Sequence, residues 1–197
     1  MTPYLTRTVA PASGPITLAE AKSFCDIQHS LKDTDISAFI QTAAADVENY
    51  TGYALGEQTW VYRSGQWPAC GRIVELERSP LLAVASVKYY PAGGGAQATV
   101  SSADYYVATG KRPGFVQFAD TYSFPALAVR HDAVEITFTA GWSDVTAIDP
   151  ALLHAVKLTV RELLDRPDSI ITGTIVAEVP RLRNLLDSRR VRGVVAP

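Results

Sequence analysis

The chain has 197 residues, 47% hydrophobic and 19% charged, with 18 lysines and arginines against 20 aspartates and glutamates for a formal net charge of −2. That length holds one well-buried core, or one core carrying a smaller subdomain, and the composition excludes a disordered or fibrous protein. No run approaches the roughly 18 apolar residues of a membrane span and the start, MTPYLTRTVAPASGP, lacks an apolar signal core, so the expectation is cytosolic synthesis and no membrane partner.

Residues 1–15 read as an N-terminal extension, and 16–56 as a helical pair. In ITLAEAKSFCDI, Thr17 and Glu20 form a capping box, each side chain answering the other's backbone amide, so a short helix starts there. After QHSLKD, Thr34 or Asp33 is expected to cap a second helix. Its Ile36, Phe39, Ile40, Ala43, Val47 and Tyr50 share one face at 3.6 residues per turn, and Gly52 supplies the left-handed stop.

From Glu57 the period changes to two. QTWVYR, RIVEL, VASVKYY, DYYVAT, FVQF and VEITFTAGW are short β-branched and aromatic runs separated by turn residues, which predicts an antiparallel β subdomain over 57–145. In the last run Val134, Ile136 and Phe138 share one face and Glu135, Thr137 and Thr139 the other. Gly93 to Gly95 reads as a hairpin tip rather than a phosphate cradle, because neither the rest of GxGxxG nor a following helix is present.

Helical periodicity resumes over 146–168, with Asp149 as cap, Pro150 at the first helical position and Pro167 as the stop. Leu152, Leu153, Val156, Val160, Leu163 and Leu164 form the core stripe. Leu158 lies off it, either incidentally or because a neighbouring subunit covers it. Residues 169–197 read as an extended arm, SIITGTIVAEV, followed from Pro180 by a short helix with Leu182, Leu185 and Leu186 on one face. About ten residues do not make a stable isolated helix, so this one must dock on something or be disordered alone. The fold class is therefore α+β: a small helical bundle with an inserted antiparallel β subdomain and an extended C-terminal arm ending in a short helix.

Charge is unevenly placed. Arg181, Arg183, Arg189, Arg190 and Arg192 crowd the tail against a single acid, Asp187, while the remainder carries 13 basic and 19 acidic residues, a net of −6. Such segregation points to a partner of opposite charge, with a solvated terminal helix as the plain alternative.

Little supports catalysis. His29, His131 and His154 are dispersed without metal-ligand spacing, and HExxH and GxSxG are absent. Arg130–His131–Asp132 sets a base beside an acid but lacks a nucleophile. Cys25 and Cys70 read as separate reduced thiols rather than a disulfide. Trp60, Trp67 and Trp142, with nine tyrosines, could make a stacking platform, though aromatic residues at strand ends more often fill a small sheet's core. The helix pair does not suit a DNA groove, since the second helix bears Asp35, Asp46 and Glu48 and no basic residue. No catalytic residue, cofactor site or metal site is expected.

The order of these parts resembles the bacteriophage head–tail connector (adaptor) family of tailed phages and gene transfer agents. The resemblance rests on ITLAEAKSFCDI, DTDISAFIQTAAADVENYTGYAL, ERSPLLAVASVKYY, EITFTAGWSD, DPALLHAVKLTVRELLDRPD and VPRLRNLLDSRR. It implies a structural virion protein and not an enzyme. It further implies a twelve-fold ring in the particle neck, attached to the portal protein, with a stopper or terminator protein on its tail side and DNA passing through the lumen. Connectors of this kind commonly reach the portal with the C-terminal segment, which here implies docking through Arg181, Leu182, Arg183, Leu185, Leu186, Arg189, Arg190 and Arg192. DRPDSIITGT stands where many relatives have a Tyr/Asn-rich link. A direct grip on DNA phosphates competes for the arginines. A β-rich carbohydrate- or peptide-binding module, or an enzyme of unrecognised type, are the alternatives for the whole chain.

Overall fold

The computed structural model describes residues 3–68, 71–165 and 185–191. It divides into a β unit, Met1–Pro11 with Glu57–Gly141, and a helical unit, Ala12–Gly56 with Trp142–Pro197. The α+β class and the insertion of the sheets into the helical body are as expected.

The helical unit contains α1 (Leu18–Phe24), α2 (Asp33–Thr51) and α3 (Pro150–Asp165). The predicted capping box starts α1: Glu20 N donates to Thr17 Oγ1 at 3.2 Å and Thr17 N to Glu20 Oε2 at 2.8 Å. Those hydrogen bonds to Thr17, backbone first, hold the Glu20 carboxyl below its usual range. Gly52 ends α2 with φ at 78°. At the start of α2 the expectation needs correction, because Lys32 is the N-cap residue and makes no side-chain cap bond. Asp33 is already helical and pairs instead with Lys22 Nζ of α1 at 2.7 Å.

Asp149 caps α3 as predicted, its Oδ1 accepting from Ala151 N at 2.8 Å. The core joins Ile36, Ile40, Ala43 and Val47 of α2 to Leu152, Ala155, Val156 and Val160 of α3, with Ile16, Tyr53, Leu55 and Ile148 closing its ends. Glu48 is buried beside it, and its carboxylate accepts the Leu55 amide at 2.7 Å, which satisfies the turn that follows the helix.

The β unit holds two antiparallel sheets. One has the order β1 (Tyr4–Val9), β2 (Gln58–Ser64), β8 (Val134–Ala140), β4 (Leu81–Tyr89), β5 (Ala98–Thr99). The other has the order β3 (Ile73–Leu76), β7 (Gly114–Phe118), β6 (Tyr105–Ala108). The N-terminal extension read over 1–15 is thus partly an edge strand, paired with β2 from Tyr4↔Arg63 to Val9↔Thr59. Strand β8 alternates as its sequence does: Val134, Ile136, Phe138 and Ala140 are buried, and the residues between are half-buried. On the second face Arg63 Nε pairs with Glu135 across β2 and β8 at 3.1 Å, and Gln97 donates to the other Glu135 oxygen at 3.1 Å. Gly114 lies where a Cβ would meet Leu81 Cβ at 2.5 Å, so only glycine lets the start of β7 approach β4 this closely. Gly93 and Gly94, at φ 91° and 80° with open space beside them, form the expected tip between β4 and β5.

Candidate interaction surfaces

The terminal helix was expected to dock on a partner or be disordered alone, and the described part of the segment, residues 185–191, is fastened to the helical unit of its own chain. Residues 185–187 are helical, while the remainder of the predicted arm and terminal helix lies outside the described residues. Leu186 and Val191 are buried in the core of α2 and α3, and Leu185 packs half-buried against it. Their burial gives the described part of the apolar stripe a partner within the chain, which a short helix needs to be stable.

Polar bonds fix the register of this clasp. Val191 N donates to Thr51 O at 2.9 Å, joining the segment to the end of α2. Tyr50 donates its hydroxyl to Asp187, and the Arg190 guanidinium lies 5.8 Å from the Tyr50 ring centre. Arg189 Nε meets Asp149 Oδ2 at 2.8 Å. Asp149 therefore uses one carboxylate oxygen to cap α3 and the other to hold the tail.

Of the docking residues expected from the resemblance, Leu185, Leu186, Arg189 and Arg190 are brought together in this clasp, where both leucines have a partner within the chain. Arg181, Leu182, Arg183 and Arg192 lie outside the described residues, as does Cys70. Leu158 is half-buried on α3 and is not among the residues packed on the core, consistent with its place off the stripe. Sequence reasoning missed Tyr50 and Thr51 as the tail's receptors and Val191 as one of its anchors. The one available signal was Val191 as an apolar residue set between Arg190 and Arg192.

Residues 12–56 and 142–165 carry ten acids against four bases, whereas the β unit carries seven acids against eight bases. The acidity of the body thus resides in its helical unit, the part to which the basic tail is fastened.

Trp67 is the hub of the aromatic cluster in the β unit, with ring centres of Tyr89, Phe118, Tyr122 and Phe124 between 5.0 and 6.3 Å away. Its indole Nε1 donates to Pro125 O at 2.8 Å. The Arg72 guanidinium covers Phe124 at 4.5 Å and donates to the Tyr122 carbonyl. These rings pack edge-on and tilted against one another, as core packing requires.

Arg130, His131 and Asp132 have a structural arrangement. Arg130 Nε and one terminal nitrogen bond the two Asp132 oxygens at 2.5 and 2.6 Å, and the guanidinium sits 3.7 Å from the Tyr90 ring centre. Hydrogen bonding from Arg130 holds the Asp132 carboxyl low, so this acid is committed to the arginine rather than to His131. Phe24 meets the His154 ring edge-on at 5.8 Å. Among the described residues no group of three His, Cys, Asp or Glu side chains could hold a metal ion, and no helix is long and apolar enough to cross a membrane.

These features define a class: an α+β protein with a helical unit, an antiparallel β unit and a C-terminal segment fastened to the helical core. Residues 15–87 match the family model of the phage gp6-like head–tail connector protein, which bears out the resemblance to head–tail connectors. The fold is also that of chains in gene transfer agent particles. A chain in the neck of an empty particle, treated with sixfold symmetry, superposes with a TM-score of 0.78 at 18% identity, over 98% of both chains. Chains from the virion of a native gene transfer agent and from the native neck with twelvefold symmetry give 0.76 and 0.73 at 17% and 18% identity, again over 98% of each. No curated protein matches the sequence significantly.

Proposed function

We propose that this chain is a structural head–tail connector in the neck of a phage or phage-derived particle, without enzymatic activity. It forms a ring of twelve copies between the portal and a tail-side stopper or terminator, and DNA passes through the lumen. The observation that carries this reading is the agreement of two independent likenesses: the connector family model over residues 15–87 and the fold of neck chains over 98% of this chain. The acidity of the helical unit supports a ring that repels rather than grips DNA sliding past it. The packing of the Trp67 cluster on itself weighs against a carbohydrate- or peptide-binding platform.

The tail remains the portal-facing element in this reading, with its roles divided. Leu185 and Leu186 secure it to the subunit, and the basic residues, Arg181, Arg183 and Arg192 with the outward parts of Arg189 and Arg190, meet acidic groups on the portal. The test is electron microscopy of the particle neck, with co-sedimentation of purified chain and portal across a salt series. A ring directly beneath the portal, and binding that weakens with salt, is the expected result. A neck that assembles normally in a strain deleted for the gene rejects the proposal.

A further inference from the structure

Residues 126–133 of the β unit form a finger held from several sides. Ala92 N donates to Ala126 O at 2.8 Å, Ala128 N to Tyr90 O at 2.9 Å and Tyr90 N to Ala133 O at 2.8 Å, and Pro91 bridges Leu127. Within the tip Arg130 N closes on Ala128 O at 2.9 Å, and the guanidinium is clamped between Asp132 and the Tyr90 ring. All this fixed geometry presents a large apolar side chain to solvent: Val129 is 98% exposed. An exposed valine on a loose loop needs no explanation, but one on a pinned turn has already lost the freedom that binding would otherwise have to remove.

The same unit carries a recess. Tyr105, Tyr106, Gln117, Phe118 and Asp120 line a depression of about 260 Å³. Tyr106, on the edge strand β6, is 67% exposed at its rim. At about 30 Å³ per water, the recess holds roughly eight or nine, which is room for a three-carbon side chain and part of its turn. It is smaller than most small-molecule pockets, which start near 300 Å³. The rim acid, Asp120, suits this occupant as well. The finger's own carboxylate, Asp132, is held by Arg130, and His131, exposed two residues after Val129, has a ring N–H to donate to Asp120.

We propose that Val129 of one copy of this chain inserts into the Tyr105–Tyr106–Asp120 recess of the next. Knob and hole are different patches on one unit, so the contact is heterologous and repeats head to tail, as a ring requires. The inference deepens the connector reading and rests on it for the closure of the ring, while the contact itself is testable in the purified chain.

The experiment mixes two proteins in which Cys25 and Cys70 are serine, one carrying Val129→Cys and the other Tyr106→Cys, under mild oxidation. Disulfide-linked dimers in the mixture and not with either protein alone are expected, with yield falling at least roughly tenfold when Asp120→Lys is added to the second protein. No linkage in the mixture, or equal linkage in each protein alone, overturns the proposal. The same pair in assembled particles separates the two readings. A neck ring without the cross-link removes the knob-in-hole contact and leaves the connector standing. A cross-link in solution by a chain never recovered in necks does the reverse.

Discussion

Replacing Leu186 by alanine measures how far the tail belongs to the subunit's own core. Leu186 is 6% exposed. Removing three carbons from that environment loses about 2.4 kcal/mol of transfer free energy at about 0.8 per carbon, before any cavity term. A ceiling also applies. The segment is short, so a weakened clasp can let go without unfolding α2 and α3, and the loss cannot exceed the free energy of docking it. We expect about 2–3 kcal/mol in urea unfolding followed by helical circular dichroism, with an unchanged m-value. The Val191 amide, bonded to Thr51 O, should exchange correspondingly faster. Arg189→Ala should cost only about 0–1 kcal/mol, because Arg189 and Asp149 are 34% and 41% exposed and water screens the pair. Asp149→Ala should fall between the two, losing the α3 cap, worth about 1 kcal/mol, together with the pair. A loss below about 1 kcal/mol for Leu186→Ala, or a larger loss for Arg189→Ala, would refute the view that apolar burial holds the tail.

Gly114→Ala places a methyl group 2.5 Å from Leu81 Cβ and should destabilise the β unit by about 1–3 kcal/mol, read as a lowered thermal midpoint with the helical signal retained. Thr17→Ala removes the side-chain half of the capping box and should cost about 1 kcal/mol at neutral pH. The folded-state pKa of Glu20 is depressed, so its contribution is fully present above the unfolded carboxylate value and is lost as pH falls through the folded one; Glu20→Gln should flatten that part of the acid-unfolding curve. Trp67→Ala removes the ring that touches four others and should cost about 3–5 kcal/mol, whereas loss of binding to a sugar or peptide array with a normal melt would revive the platform reading.

Local chemistry was legible in the sequence. Thr17 with Glu20, Gly52, Asp149 with Pro150, and the alternation of Val134 to Ala140 each encode their outcome within a few residues. Strand β1 escaped notice because it is an edge: only Leu5 is half-buried, so YLTRTV carries almost no apolar alternation to read. The start of α2 was misread because Asp33, a good cap by type, is taken by Lys22, eleven residues earlier. The clasp lay further out of reach. Tyr50 and Asp187 are 137 positions apart, and nothing in either neighbourhood specifies the other.

That distant contact changes what the basic tail can do. An apolar face engaged by a partner must first leave its own core, so a portal that captured Leu186 would forfeit the docking free energy. That docking free energy is at least the roughly 2–3 kcal/mol expected for Leu186→Ala, so the loss of affinity is about 30–150-fold or more before any new contact forms. Capture through the arginines carries no such loss where their outward atoms can pair without undocking the segment. A tethered segment also presents Arg189 and Arg190 from a fixed place on the subunit, which lowers the ordering cost of each charge-assisted contact they make. In the connector reading the leucines therefore position the tail and the arginines select its partner. The two sets of variants should separate accordingly: Leu186→Ala should act mainly on subunit stability, and Arg181→Ala with Arg183→Ala mainly on salt-dependent attachment.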